Sequence, residues 1–153
     1  MKFLELKVPP VALFFVLLAL SYVVSIAFTV LSIQSPVRFE VLIGSILVSG
    51  WIGIAGVVEF KKKKTTVNPV KPENASSVVD SGIFAYTRNP MYLGLFLLLL
   101  GVGYYLQNTG SIAVSFLFVL YMNRFQIQPE ERVLEDLFGA SYVDYKQRVR
   151  RWV

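Results

Sequence analysis

At 153 residues, with 55% apolar residues and a mean hydropathy of +0.58, the chain is greasier than a water-soluble domain, whose apolar share is about 45–50%. Its length suits one helical bundle, and no separate soluble catalytic domain is expected. It has no Cys and no His, which excludes disulfides, thiolate or imidazole metal sites, a His base and a Cys nucleophile, so no metal site is expected.

Lys7 is followed by 26 uncharged residues, 8–33, opened by Pro9-Pro10, which suit a first helical turn but not a helix middle. This is the first expected span. The run is longer than the h-region of a signal peptide and no small-x-small site closes it, so it is expected to be retained. Gln34-Ser35-Pro36 makes a turn, and residues 41–58 give a second span between Glu40 and Glu59. Ser45, Ser49 and Gly53 recur at i, i+4 and i+8, a small-residue stripe that lets another helix approach closely. Lys61, Lys62, Lys63 and Lys64 then end the span at the headgroups.

Residues 65–87 form the one long polar segment, with Pro69, Pro72 and Gly82 arguing against a continuous helix. The expected loop, 61–90, runs into Arg88-Asn89-Pro90-Met91-Tyr92-Leu93-Gly94 and is expected to serve as a lid or wall. Residues 89–123 carry no charge at all. As one helix those 35 residues would be about 52 Å long, against a hydrocarbon slab of about 30 Å, so a hairpin is expected. Gln107-Asn108-Thr109-Gly110-Ser111 supplies the break, leaving a third span at 91–106 and a fourth at 112–125. The hairpin returns Glu130-Glu131 to the side of Arg88.

Pro90 at a first helical position leaves the preceding backbone extended and offers free N–H groups beside Arg88, a good setting for an anionic group. Arg124 lies at the end of the fourth span, among Asn123, Gln126 and Gln128. It either snorkels to the headgroups or faces a polar cavity. The tail, 126–153, starts a helix at Pro129 whose first turn is Glu130-Glu131, with Val133, Leu134, Leu137 and Phe138 on one face and Gly139 as its stop. A second short helix from Ser141 carries Tyr142, Tyr145, Val149 and Trp152 on one side and reads as lying on the leaflet.

With the first span leaving a cytoplasmic N-terminus, fourteen of the fifteen basic residues fall inside and only Arg38 outside. Both termini are then cytoplasmic, and the net charge of +5 is explained by topology and anionic membrane lipid, without nucleic acid. The expectation is a single all-α membrane domain over 1–153, with about four transmembrane helices, a cytoplasmic re-entrant loop and short C-terminal amphipathic helices.

Gly82-Ile83-Phe84, the Arg88 to Gly94 stretch, Glu130-Glu131, Leu134, Phe138-Gly139, Tyr142, Tyr145, Val149 and Arg151-Trp152 together resemble the C-terminal half of isoprenylcysteine carboxyl methyltransferase-like membrane proteins. The pattern is Arg-His-Pro-x-Tyr-x-Gly, a helical hairpin, Glu-Glu, then Phe-Gly-x-x-Tyr-x-x-Tyr. It covers roughly residues 65–153, and several spaced elements in order are more specific than one short motif. The resemblance implies a membrane methyltransferase using S-adenosylmethionine on the cytoplasmic side, with a lipophilic acceptor entering from the bilayer. It implies that Arg88, Asn89, Pro90, Tyr92, Gly94, Glu130 and Glu131 bind the cofactor. The chemistry of the residues agrees, since a Glu can pair an ammonium and Arg88 a carboxylate.

Asn89 stands where the family has His. Asn can orient a ligand but cannot titrate near neutral pH. A carboxylate acceptor needs no base, whereas a lipid ammonium must first lose a proton, so a prenylcysteine-like carboxylate is the favoured acceptor. Glu130 and Arg124 are the candidate catalytic residues, Arg124 as a holder of an anionic acceptor. The alternatives are phospholipid amine N-methyl transfer, a non-catalytic lipid-binding membrane protein, and an NADPH-dependent reductase relative.

Overall fold

Pro9 and Pro10 open the first helix, α1 (Pro10–Ala27), where the missing N–H of a proline leaves no bond unmade. In the computed structural model, which describes residues 4–64 and 72–153, five further α-helices follow. They are α2 (Arg38–Lys62), α3 (Pro90–Tyr105), α4 (Thr109–Tyr121), α5 (Gln128–Phe138) and α6 (Ala140–Arg148). Among the described residues there is no strand, in line with the expected all-α class. Lys2, Pro69, Lys71 and the 65–71 part of the polar segment lie outside the described residues.

Three helical stretches, Pro10–Ala27, Arg38–Lys62 and Thr109–Phe138, are long and apolar enough to cross a membrane, and α3 is a shorter apolar helix of 16 residues. The third stretch differs from the sequence reading. The helix does not stop at residue 125 and restart at Pro129, because a π-helical turn, Met122–Ile127, carries α4 directly into α5. Pro129 has no N–H for the carbonyl of Phe125, and its ring crowds that carbonyl, so the helix widens there. The freed Phe125 carbonyl accepts instead from the Leu6 N–H at 3.0 Å.

The core sits between α1, α3 and α4, where Leu99, Phe118 and Met122 are fully buried against Phe14 and Leu17. Polar anchors fix the end away from Arg88. Ser21 and Ser111 exchange hydroxyl-to-carbonyl bonds. Buried Asn108 caps α4 by accepting from the Ser111 N–H at 3.1 Å, and its amide donates to the Phe28 carbonyl at 3.0 Å. Outward, α1 and α2 present Phe15, Trp51 and Ile54, large apolar side chains that suit lipid.

Helices α2 and α3 meet through small residues, as the stripe on α2 suggests, but the stripe drifts. Ser45 faces Gly101, Ser49 faces Gly94, and the third contact is made by Gly56 against Pro90 and Met91. Nothing lies within 4 Å of a Cβ built on Gly53. A straight helix of 3.6 residues per turn rotates a strict four-residue repeat away from its partner, so the contact moves to Gly56. At Gly101 an added Cβ would stand 2.4 Å from Ser45 Cβ. Gly101→Val is therefore expected to destabilise the bundle by about 1–3 kcal/mol through overpacking, read as a lowered Tm in detergent. Gly53→Ala should leave Tm unchanged or higher.

Candidate active site

Pro90 sets the geometry of the site. It keeps Asn89 out of the helical region (φ −130°, ψ 56°) and starts α3 there, so the chain enters the helix from the side of α5 and α6. The Arg88 side chain, only 8% exposed, runs into that neighbourhood. Its Nη2 donates to Glu131 Oε1 at 2.6 Å, and its Nη1 donates to the carbonyls of Lys146 (2.9 Å) and Val149. The Arg88 backbone N–H donates to the Arg150 carbonyl at 2.9 Å. The Arg151 carbonyl accepts from the Thr87 hydroxyl (3.2 Å) and the Asn89 amide (3.0 Å). Segment 146–151 is thus sewn to the Arg88 motif along its backbone.

Glu131 is the partner that holds this seam. It is 5% exposed, and besides Arg88 it takes a two-pronged contact from Arg151, Nε to Oε1 at 2.9 Å and Nη2 to Oε2 at 2.7 Å. Lys146 Nζ stands 3.9 Å from Oε2. Both of its oxygens are thus bonded to guanidinium donors, which compensates the loss of water. The Arg151 guanidinium is held above its ordinary pKa chiefly by its hydrogen bond to Glu131.

Glu130, one residue earlier, faces a different way because successive helical residues point about 100° apart. Its Oε1 accepts from the Tyr92 hydroxyl at 2.7 Å and from the Gln126 amide at 2.8 Å. No Lys or Arg nitrogen lies within 4.0 Å of it among the described residues. Arg88, Asn89, Pro90, Tyr92 and Glu130 line one side of a half-open cleft with about 780 Å³ of non-protein space, counted out to open solvent.

The opposite wall is made by Val78, Val79 and Phe84 of the polar segment and by Tyr142 and Tyr145 of α6. Burial raises the Tyr142 and Tyr145 phenols well above their ordinary range, so both stay protonated. The Tyr145 hydroxyl donates to the Phe84 carbonyl at 2.8 Å. Glu59 at the end of α2 tethers the same wall, accepting from Ser81 at 2.8 Å and Lys62 at 2.6 Å. Gly82 lies against it at φ +60°, where a Cβ would be 2.6 Å from Glu59 Cδ. The apolar face of α6 therefore covers the polar segment rather than a leaflet, because Phe84 and Val79 offer it a protein surface.

The expected site residues thus fall into three groups. Arg88, Asn89, Pro90, Tyr92 and Glu130 share the cleft, and Glu131 sits behind it as the partner of Arg88. Gly94 faces α2, where a Cβ would lie 3.1 Å from the Ser49 carbonyl. Arg124 is half exposed and pairs with Glu5 at 3.2 Å. Reasoning from sequence passed over Arg151 and the carbonyls of 146–151 as supports. The Arg151-Trp152 pair in the recurring pattern was the available signal.

Known proteins of similar sequence give this arrangement a context. A family model described as phospholipid methyltransferase matches residues 37–141. An uncharacterized protein of Haemophilus influenzae is 46% identical over 63 residues, 41% of this chain and 100% of that protein. The protein-S-isoprenylcysteine O-methyltransferase of Saccharomyces cerevisiae is 35% identical over 82 residues, 52% of this chain and 33% of the enzyme. That of Schizosaccharomyces pombe is 37% identical over 75 residues, 47% of this chain and 30% of the enzyme. The match thus spans about a third of each yeast enzyme. No solved structure matches the chain at a significant level.

The two adjacent acids predict opposite mutant behaviour. Glu131→Gln leaves the guanidinium of Arg88 buried without its counter-ion and should cost about 3–5 kcal/mol. Glu130→Gln keeps an acceptor oxygen for Tyr92 and Gln126 and should change stability by about 1 kcal/mol or less. Thermal unfolding of the two variants in one detergent checks the difference.

Proposed function

Because the chain belongs to the phospholipid methyltransferase family of membrane proteins, we propose that its cleft binds S-adenosylmethionine and delivers the methyl to a lipophilic acceptor reaching it from the bilayer. The observation that carries this reading is Glu130, a carboxylate on the cleft wall with neutral hydrogen-bond partners and, among the described residues, no cation within ion-pair distance. Such a group favours a positively charged guest, because an unpaired carboxylate removed from water is costly. The donor carries an ammonium and a sulfonium against one carboxylate, so its charge is complementary.

The rest of the cleft fits the same guest. Arg88 Nε is buried and has no hydrogen-bond partner among the described residues, and it would meet the carboxylate end of the methionine moiety together with the free N–H groups at the start of α3. Phe84, Tyr142 and Tyr145 offer an aromatic wall for a nucleoside base. The amide of Asn89 already donates to the Arg151 carbonyl, so this residue keeps a donor where related proteins have His and steadies the wall. An NADPH reading finds less support, since Arg88, the one cation lining the cleft among the described residues, is paired with Glu131.

When bound, the cofactor supplies a methyl whose bond to sulfur breaks as the acceptor bond forms, the electron pair remaining on sulfur. The protein contributes alignment and exclusion of water. Glu130 and Arg88 fix the two ends of the donor, and the 78–84 wall and α6 screen the cleft, so the gain is mainly proximity and orientation. The proposed acceptor is a prenylcysteine-like carboxylate, which is already ionised and needs no base. This is the group that the names of the yeast relatives point to. The acceptor-holding role considered for Arg124 is not carried into the proposal, because its guanidinium pairs with Glu5. The cleft is proposed to open on the cytoplasmic side, with both termini there, by the distribution of basic residues.

Calorimetry on the detergent-purified protein is expected to give micromolar affinity for S-adenosylhomocysteine, about −8 kcal/mol, and no heat with NADPH. Glu130→Gln should weaken S-adenosylmethionine binding at least tenfold, and Arg88→Ala likewise; unchanged affinity in both removes the site assignment. Transfer of labelled methyl to a farnesylcysteine analogue should give an alkali-labile ester, whereas alkali-stable label on a phospholipid amine would overturn the choice of acceptor.

A further inference from the structure

A second concave feature runs along the half of α3 farther from Arg88, between Leu97 and Tyr104, about 10–21 Å along the helix axis from Pro90. It is a groove between α2 and α3, walled by Val41, Gly44 and Val48 on one side and Leu100 and Tyr104 on the other, with about 770 Å³ of non-protein space counted out to its open side. The contact of Ser45 with Gly101 forms its floor. Both walls belong to apolar helices, so the open side faces hydrocarbon.

One end of the groove is charged. Arg38 begins α2, three residues before Val41 and therefore on the same helical face. Its guanidinium is steadied by neutral neighbours, donating from Nη1 to Gln107 Oε1 at 3.3 Å and lying 4.9 Å from the Phe39 ring centroid and 5.7 Å from that of Tyr105. Gln107 is itself fixed by donating to the Ser35 carbonyl at 2.9 Å, and Ser35 bonds the Tyr104 hydroxyl at 2.6 Å. No carboxylate lies within 4.0 Å of Arg38 among the described residues, and Glu40 makes no ion pair with it. A cation pre-positioned by uncharged groups at the mouth of an apolar groove is complementary to an anion carrying an apolar tail. From Arg38 to Val48 is ten residues, about 15 Å, which equals one leaflet's half of a hydrocarbon layer of about 30 Å.

We propose that this groove is a phospholipid site distinct from the cleft, with one acyl chain lying between α2 and α3 and the headgroup phosphate bonded to Arg38. The lipid held there is a bound component of the bundle and not a methyl acceptor, since the length of α3 separates its headgroup from Glu130 and Arg88. It seals the outer seam of the small-residue contact between α2 and α3, on which the placement of Pro90 and the cleft rests.

Native mass spectrometry of the full chain in a neutral maltoside detergent tests the site, with dioleoylphosphatidylglycerol and dioleoylglycerol as probes. The wild type is expected to retain one phosphatidylglycerol per monomer and to bind the phosphate-free dioleoylglycerol at least tenfold more weakly. Arg38→Gln should lose at least tenfold in phosphatidylglycerol affinity. Gly44→Leu, built where a Cβ meets nothing within 4 Å, should fill the groove and lose as much. The proposal is overturned by equal binding of the two lipids to the wild type, by undiminished binding in both variants, or by a lipid-free dimer that Gly44→Leu abolishes, which would give the groove to a second copy of the chain. The wild-type lipid comparison decides the matter even if a variant fails to fold.

Discussion

The carboxylate of Glu131, gripped between the guanidinium groups of Arg88 and Arg151, is the interaction on which the rest of the site depends. It joins three pieces of chain that share no secondary structure: the entry to α3, the first turn of α5 and the segment after α6. One carboxylate facing two guanidiniums leaves positive charge over, and the carbonyls of Lys146 and Val149 point their negative ends at Arg88 to absorb it. Withdrawing such groups from water is tolerable only when nearly every donor finds an acceptor. The exception, Nε of Arg88, belongs to the residue that borders the cleft.

The adjacent acid performs a different task because of helical geometry. Rotation by about 100° turns Glu130 from the seam to the cleft. Its depth and aim depend in turn on the π-helical turn before Pro129, which also supplies Gln126 as its neighbour one turn back. The turn is stabilised from the far end of the sequence, where the Leu6 N–H occupies the carbonyl that proline cannot serve, and Glu5 pairs with both Arg124 and Arg132. The N-terminal residues thus hold the outside of the same helical stretch whose inside presents Glu130.

Much of this was legible in the residues themselves. An uncharged stretch too long for one crossing, broken by Gln107-Asn108, required Arg88 and the Glu pair to lie at one end, and they do, Arg88 meeting Glu131 at 2.6 Å. The all-helical class followed from composition and the proline positions. What remained hidden was who pairs with whom. A Glu, an Arg and a free helix terminus read from sequence as three ligand contacts. Residues 146–151 take up much of that capacity within the protein, and nothing in spacing distinguishes Glu130 from Glu131. The face of α6 was likewise ambiguous, since an apolar stripe of Tyr142, Tyr145 and Val149 suits a leaflet as well as it suits Phe84. The small-residue stripe on α2 was readable in kind, but its shift to Gly56 depended on how the two helices cross.

The sewing of Arg88 to backbone atoms about sixty residues downstream has a consequence for biosynthesis. While the ribosome is still making α4, the guanidinium of Arg88 has none of its eventual acceptors, and water or lipid phosphate must solvate it at the membrane surface. The nascent hairpin of α3 and α4 can therefore insert with that arginine as an ordinary interfacial anchor. Only the later arrival of Glu131 and segment 146–151 converts the anchor into an internal strut, so this side of the cleft is completed only after the last residues of the tail are made.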